Sequence, residues 1–204
     1  NIGIVTVAQR LGNSLYDHYK ELGFGTKTNI DLPGEQAGFI NPPHNWSKRS
    51  FASLSFGYEI TGSLVQLARA LSVIINGGYL VQPHINKKHP YKTVKQRTMY
   101  STENLNITKD ILINTVNEGT ASRAKIKNYT ILGKTGTANL LINGNYDPDH
   151  NRFTFAGALE KGSYQRVIIT FIEDAGQTDL YASQVTTPLF KEIAESIIIH
   201  DKIL

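Results

Sequence analysis

The spacing of apolar positions changes near residue 130. Upstream of it they recur at three- and four-residue intervals, and downstream they alternate or run together until helical spacing returns. Residues 2 to 22 predict two short helices split by Gly12-Asn13. Asn13 is the expected N-cap of the second, Leu15, Tyr16, Tyr19 and Leu22 share one face, and Gly23 and Gly25 end it. Residues 29 to 46 are too dense in Asn, Pro and Gly for regular structure. The clearest helix runs from about Ser63 to Asn76, with Leu64, Leu67, Ala68, Leu71, Ile74 and Ile75 as its stripe. Thr61 is its expected cap and Gly77-Gly78 its stop. Tyr79-Leu80-Val81 reads as a short extended piece, and a further helix is expected from about Thr108 to Glu118, stopped by Gly119.

Thr130 to Leu141 then looks extended. Arg152 to Leu159 alternates, with Phe153, Phe155 and Gly157 on one side, and Arg166 to Ile172 reads as a strand buried on both faces. Pro188 is expected in the first turn of a last helix that buries Leu189, Phe190, Ile193, Ala194, Ile197 and Ile198. Helices, three closely linked strands and a final helix predict an α+β fold with an antiparallel sheet.

Composition narrows the class. Of 204 residues, 40% are hydrophobic and 19% charged, which excludes a disordered or fibrous chain. The absence of cysteine excludes disulfides, thiolate metal sites and a cysteine nucleophile. Lys and Arg exceed Asp and Glu by 21 to 17, but the basic residues are scattered, so no nucleic-acid partner is indicated. No apolar run approaches the roughly 18 residues of a membrane span. The opening Asn1-Ile2-Gly3-Ile4-Val5 has neither a methionine nor signal-peptide organisation, and reads as the interior of a longer protein.

The informative segment is Gly133-Lys134-Thr135-Gly136-Thr137-Ala138-Asn139. A phosphate-binding loop needs glycine where Asn128 stands and a helix afterwards, whereas a turn at Asn143-Gly144 follows. The other chemistry is a Lys-Thr-Gly strand beside the nucleophile of a serine acyl-transferase. A peptide substrate can lie along such a strand, and Gly136 removes a side chain where it must come close. Lys134 offers positive charge to a terminal carboxylate, and Thr135 and Thr137 offer hydroxyls. A backbone N–H near Thr137 can complete an oxyanion hole. Taken alone, these letters also fit an ordinary polar hairpin strand.

Further blocks accompany the motif: Phe24-Gly25 with Ile30-Asp31-Leu32-Pro33-Gly34-Glu35; Ser55-Phe56-Gly57-Tyr58-Glu59-Ile60; Gln66-Leu67-Ala68-Arg69-Ala70 with Asn76-Gly77-Gly78; and Asn117-Glu118-Gly119-Thr120-Ala121. Together, in this order, they resemble the transpeptidase domain of a monofunctional, cell-division-type penicillin-binding protein. The resemblance implies the penicillin-binding-protein/serine β-lactamase-like fold, with residues 1–204 as its C-terminal part and two strands of a five-stranded sheet preceding Asn1.

It also implies a serine-type peptidoglycan D,D-transpeptidase acting on D-Ala-D-Ala stem peptides through an acyl-enzyme and blocked by β-lactams. It calls for no cofactor or metal. Of the family's three motifs this chain holds Lys-Thr-Gly in full, and Asn1 looks like the last letter of Ser-x-Asn. By that resemblance Lys134, Thr137 and Asn1 are catalytic, and Thr135, Gly136, Thr137 and Ala138 bind substrate. The nucleophile's Ser-x-x-Lys should lie upstream. The one such run here, Ser122-Arg123-Ala124-Lys125, stands in the wrong place in the family order and is expected to be a solvated turn. The chain alone is therefore expected not to acylate, and its Val167–Ile172 strand to be an apolar edge that favours self-association. Implied partners are stem peptide, β-lactams, the upstream half of the domain and cell-division proteins, on the periplasmic side of a bacterial inner membrane. The competing reading is a non-catalytic, truncated or split module that binds peptide or division proteins.

Other candidates carry less. Asp147-x-Asp149-x-Asn151 begins like a calcium loop, but Arg152 and Ala158 stand where it needs glycine and an acid, so a polar hairpin turn is expected. His84 and His89, the basic stretch from Ile85 to Tyr100, and Glu173-Asp174 read as solvated surface. Trp46 and Tyr58 read as packing.

Overall fold

Buried side chains gather into separate clusters in the computed structural model, which describes residues 1–86, 95–176 and 179–203. Two compact units result, Asn1–Ser101 and Thr102–Leu204.

In the first unit, α1 (Ile2–Leu11) and α2 (Ser14–Glu21) are separated by Gly12-Asn13 as expected. Asn13 does not cap α2 with its side chain. It already has helical backbone angles, and the turn closes through backbone bonds from Leu15 to Gly12 and from Tyr16 to Asn13. Leu15, Ile40 and Leu54 form a core with Tyr16, Tyr19, Trp46 and Phe51 around it. Trp46 packs edge-on against Phe51, with ring centroids 5.3 Å apart, and donates its indole N–H to Asn41 O, so packing is its role. Tyr58 is half-buried, edge-on to Phe56. The turn-rich stretch contributes one strand of a minimal ladder, β1 (Phe39–Ile40), which pairs with β2 (Ile60–Thr61) beyond α3 (Ser50–Ser55).

The helix α4 (Leu64–Ile75) follows its apolar stripe, but Ser63 rather than Thr61 caps it. The Ser63 hydroxyl accepts from Gln66 N while Gln66 Oε1 accepts from Ser63 N, a reciprocal box worth about 1 kcal/mol. Gln66 is buried, and its amide also donates to the carbonyls of Gly23, Thr26 and Ala37. One side chain thus ties the Phe24–Glu35 block to the Gln66–Ala70 block. Within that loop the Glu35 carboxylate accepts from Thr28 N, Thr28 Oγ1 and Asn29 N at 2.5–3.0 Å.

Desolvation pushes the Glu35 carboxyl upward, but those three bonds and the Lys27 charge outweigh it, so the group sits below the ordinary 4.5. A carboxyl lowered by folding stabilises the native state above its unfolded value, and that contribution is lost as pH falls through the lowered folded value. Glu35→Gln should therefore flatten the acid limb of a stability-versus-pH curve below about pH 4.5. An unchanged limb in urea titrations would contradict this.

The expected solvated stretch from Ile85 to Tyr100 differs in part. Lys95–Arg97 forms β4, antiparallel to β3 (Tyr79–Val81), with Lys95 and Arg97 both over the Tyr79 ring at 4.5 and 5.2 Å. His84 is exposed; His89 and its lysine neighbours lie outside the described residues.

The second unit is a three-stranded antiparallel sheet ordered β5 (Thr130–Ile142), β6 (Asn145–Lys161) and β7 (Tyr164–Glu173), with α5 (Thr102–Asn117) before it and α6 (Ala182–His200) after it. The β5–β6 turn is Asn143-Gly144, both at positive φ, as a tight hairpin requires. The helix α5 starts six residues earlier than expected because Leu105 is buried and anchors a polar first turn. Lys109 on α5 meets the buried Glu160 at 2.6 Å, and Gln165 donates to the same carboxylate.

Three expectations about this unit fail. Pro188 sits inside α6 rather than in its first turn, since Thr186 and Thr187, both fully buried, bond back to Ala182 O and Ser183 O and carry the helix through. The strand β7 is buried on one face only: Ile168 and Thr170 face α6, while Phe171 is 38% exposed. It pairs only with β6 among the described residues, which makes it an edge. The Asp147–Asn151 run is not a hairpin turn. Asn139 pairs with Asn151 and Leu140 with Asp147, so residues 148–150 form a bulge inside β6. The Asp147 carboxylate turns onto its own loop, accepting from Asp149 N.

Candidate active site

The central strand of the site, β5, keeps one edge free of β6, so alternate backbone groups of residues 130–142 face away from the sheet. Cross-strand partners share a face. Thr135 pairs with Phe155 and Thr137 with Phe153, which places both hydroxyls on the α6 side. Lys134, Gly136 and Ala138 alternate onto the opposite face.

Beneath the site, the Phe155 and Phe190 rings meet edge to face at 4.9 Å. Two cross-strand glycines, Gly133 and Gly157, leave room for them. A Cβ on Gly157 would lie 2.6 Å from the Phe190 ring, and one on Gly133 only 2.5 Å from Ala156 O. Gly136 is different: the nearest atom to its would-be Cβ is Thr154 Cβ at 4.0 Å. Packing within the chain demands glycine at 133 and does not demand it at 136.

The polar groups are held from outside the strand. Thr137 Oγ1 accepts the backbone N–H of Ala182, the first residue of α6, at 3.2 Å. Thr135 Oγ1 lies 2.9 Å from Thr120 Oγ1, within the Asn117–Ala121 block. Neither contact was legible in the sequence, because the partners lie 45 and 15 residues away. Lys134 Nζ donates to Thr135 O at 2.9 Å, and desolvation holds its ammonium below the ordinary lysine value.

Ser122 lies in a single 3-10 turn (Ser122–Ala124) and is exposed. Its spacing partner Lys125 donates to Asn117 O, the last residue of α5, at 2.6 Å. That lysine caps a helix and does not serve the serine. Asn1 belongs to the first unit, where its carbonyl accepts from Val5 N and its side chain makes no capping bond. Glu173 pairs with Arg152 at 2.6 Å, and the Asp174 carboxylate accepts from Gly176 N. Among the described residues, no three His, Asp or Glu side chains converge as metal ligands would, and no helix is long and apolar enough to cross a membrane.

Comparison with known proteins agrees across sequence and structure. The family described as Penicillin binding protein transpeptidase domain matches residues 1–195. Penicillin-binding protein PbpB of Mycolicibacterium smegmatis is 32% identical over 95% of this chain and 33% of its own length. Stage V sporulation protein D of Bacillus subtilis is 30% identical over 95% and 32%. The probable peptidoglycan D,D-transpeptidase PenA of Neisseria meningitidis is 29% identical over 95% and 33%. The chain thus spans about a third of the length of these relatives. Among solved structures, the transpeptidase domain of Burkholderia pseudomallei penicillin-binding protein 3 superposes with TM-score 0.85 at 27% identity, covering 98% of this chain and 61% of that one. Penicillin-binding protein 3 of Mycobacterium tuberculosis in complex with aztreonam gives 0.83 at 28%, covering 100% and 50%.

Proposed function

We propose that this chain, which belongs to the penicillin binding protein transpeptidase domain family, carries the donor-peptide strand of a serine-type peptidoglycan D,D-transpeptidase. The observation that carries this reading is Lys134-Thr135-Gly136-Thr137 on a sheet edge that no other strand among the described residues occupies, with glycine kept at 136 where the fold would accept a side chain.

The stem peptide adds as a strand along β5. Its terminal carboxylate is received by the Thr135 and Thr137 hydroxyls, and Lys134 adds positive charge from the opposite face without filling the seat. Gly136 and Ala138 keep the surface low. A seryl oxygen attacks the penultimate D-alanine carbonyl, and backbone N–H groups that include Thr137 N receive the developing oxyanion. Collapse breaks the C–N bond, and the seryl proton leaves with D-alanine. An amine of a neighbouring stem then displaces the seryl oxygen, which recovers a proton. β-Lactams follow the first half of this sequence and stay attached; the aztreonam complex of the mycobacterial neighbour supports that extension.

Residues 1–204 act as the C-terminal part of this domain, with Asn1 as the end of Ser-x-Asn and the nucleophile supplied from a Ser-x-x-Lys other than Ser122–Lys125. The setting we infer is the bacterial cell envelope, on the periplasmic side, with cell-division proteins as partners; the naming of relatives as peptidoglycan D,D-transpeptidases supports the envelope.

Intact-protein mass after incubation with a penicillin tests the reading. The full-length gene product should gain the mass of one penicillin, and residues 1–204 alone should gain none. An adduct on residues 1–204 would overturn the assignment of Ser122 and Lys125. No adduct on either would favour the non-catalytic module.

A further inference from the structure

We propose that Thr120 is a positioning residue for the carboxylate seat: its hydroxyl donates to Thr135 and turns the Thr135 proton outward, toward the donor peptide's terminal carboxylate. The inference rests on the functional reading above and assigns a role to a block that reading leaves unused.

The position of Thr120 is enforced rather than incidental. Gly119 lets the chain fold tightly over the end of α5, since a Cβ there would lie 2.8 Å from Thr115 O. Ala121 N then bonds to Thr115 O at 3.1 Å and Ala124 N to Ala121 O at 2.9 Å, and both alanines are fully buried. Between these anchors Thr120 projects at β5, where its hydroxyl sits 2.9 Å from that of Thr135.

Proton counting sets the direction. Each hydroxyl has one proton to give and two lone pairs to receive with. A carboxylate only accepts. If Thr135 gave its proton to Thr120, none would remain for the substrate; only the order Thr120 to Thr135 to carboxylate serves all three groups. The neighbouring hydroxyl follows the same logic with a fixed partner. Ala182 N–H can only donate, so the Thr137 proton stays free for an acceptor. Thr135 and Thr137 are therefore two outward donors on one face, each backed by a donor from a different segment. Chained hydrogen bonds of this kind polarise one another. The backing donor spares the seat from reorienting when substrate arrives.

The test uses the full-length gene product and second-order acylation by a penicillin and by its methyl ester, followed by intact mass. Thr120→Val keeps the shape and removes the donor. It should slow acylation by the free acid about tenfold, leave the ester within about twofold, and so shrink the acid-over-ester preference. Thr120→Ser should restore wild-type behaviour within about twofold. In a Thr135→Val background, Thr120→Val should add nothing, because the two act as one unit. Equal loss with acid and ester would reduce Thr120 to a structural residue and overturn the proposal, as would an unchanged preference. A wild-type protein that forms no adduct would instead sink the functional reading, before Thr120 is substituted.

Discussion

Lys134→Ala in the full-length gene product should slow penicillin acylation by roughly two to three orders of magnitude, the range seen when a charge-stabilising donor is removed from an acyl-transfer site. The fold should not notice. Lys134 keeps a large share of its surface in solvent although its ammonium is partly desolvated, and its hydrogen bond goes to the carbonyl of the next residue, so its removal leaves no fully buried group without a partner. Substitutions of this kind usually change stability by less than about 0.5 kcal/mol. The expected pair of results is therefore a wild-type thermal midpoint with acylation nearly gone. Lys134→Arg should recover only part of the rate, because a planar guanidinium cannot replace a compact ammonium at a fixed point. A Lys134→Ala protein that acylates at the wild-type rate would remove this residue from the site.

How much of this was legible in the sequence depended on how local the cause was. The β5–β6 hairpin follows from alternation flanking Asn143-Gly144, and the site residues of β5 are contiguous, so a short motif could name them. The helix α4 follows from its stripe, although the pattern does not separate Ser63, its cap, from Thr61, which offers the same chemistry. The start of α6 was hidden by Pro188, which reads as a helix beginning unless the buried, back-bonding Thr186 and Thr187 are known. The strand β4 was hidden by its charge: Lys95 and Arg97 pair with β3 by covering Tyr79, a tertiary reason that no propensity contains. The partners of Thr135 and Thr137 were hidden for the same reason, since each comes from a separate segment.

The Thr135 and Thr137 hydroxyls lie where β5 runs between a helix end and a helix start. The turn after α5 delivers Thr120, and the first residue of α6 delivers an N–H, to consecutive same-face positions of the strand. Elements that look like packing around the sheet therefore reach both hydroxyls, and on the proposal above they set the direction of the hydroxyl protons.

Two glycines three residues apart on β5 should respond in opposite ways to the same substitution. Gly133→Val puts a branched carbon where even a Cβ would lie 2.5 Å from Ala156 O, a backbone atom of the neighbouring strand that has nowhere to go. Overpacking of this kind costs about 1–3 kcal/mol or more. For a chain of this size that lowers the thermal midpoint by roughly 2–12 °C, with activity lost alongside the fold. At Gly136 an added Cβ meets nothing closer than 4.0 Å, and valine favours an extended strand, so the midpoint of Gly136→Val should hold or rise slightly. Acylation should nevertheless fall at least about a hundredfold, because the donor peptide must lie against the backbone at that point and an isopropyl group would hold it away. Calorimetry and acylation rates on the two variants separate a glycine required by the sheet from one required by the substrate. A stable Gly136→Val protein that acylates normally would mean that the peptide does not lie along this strand.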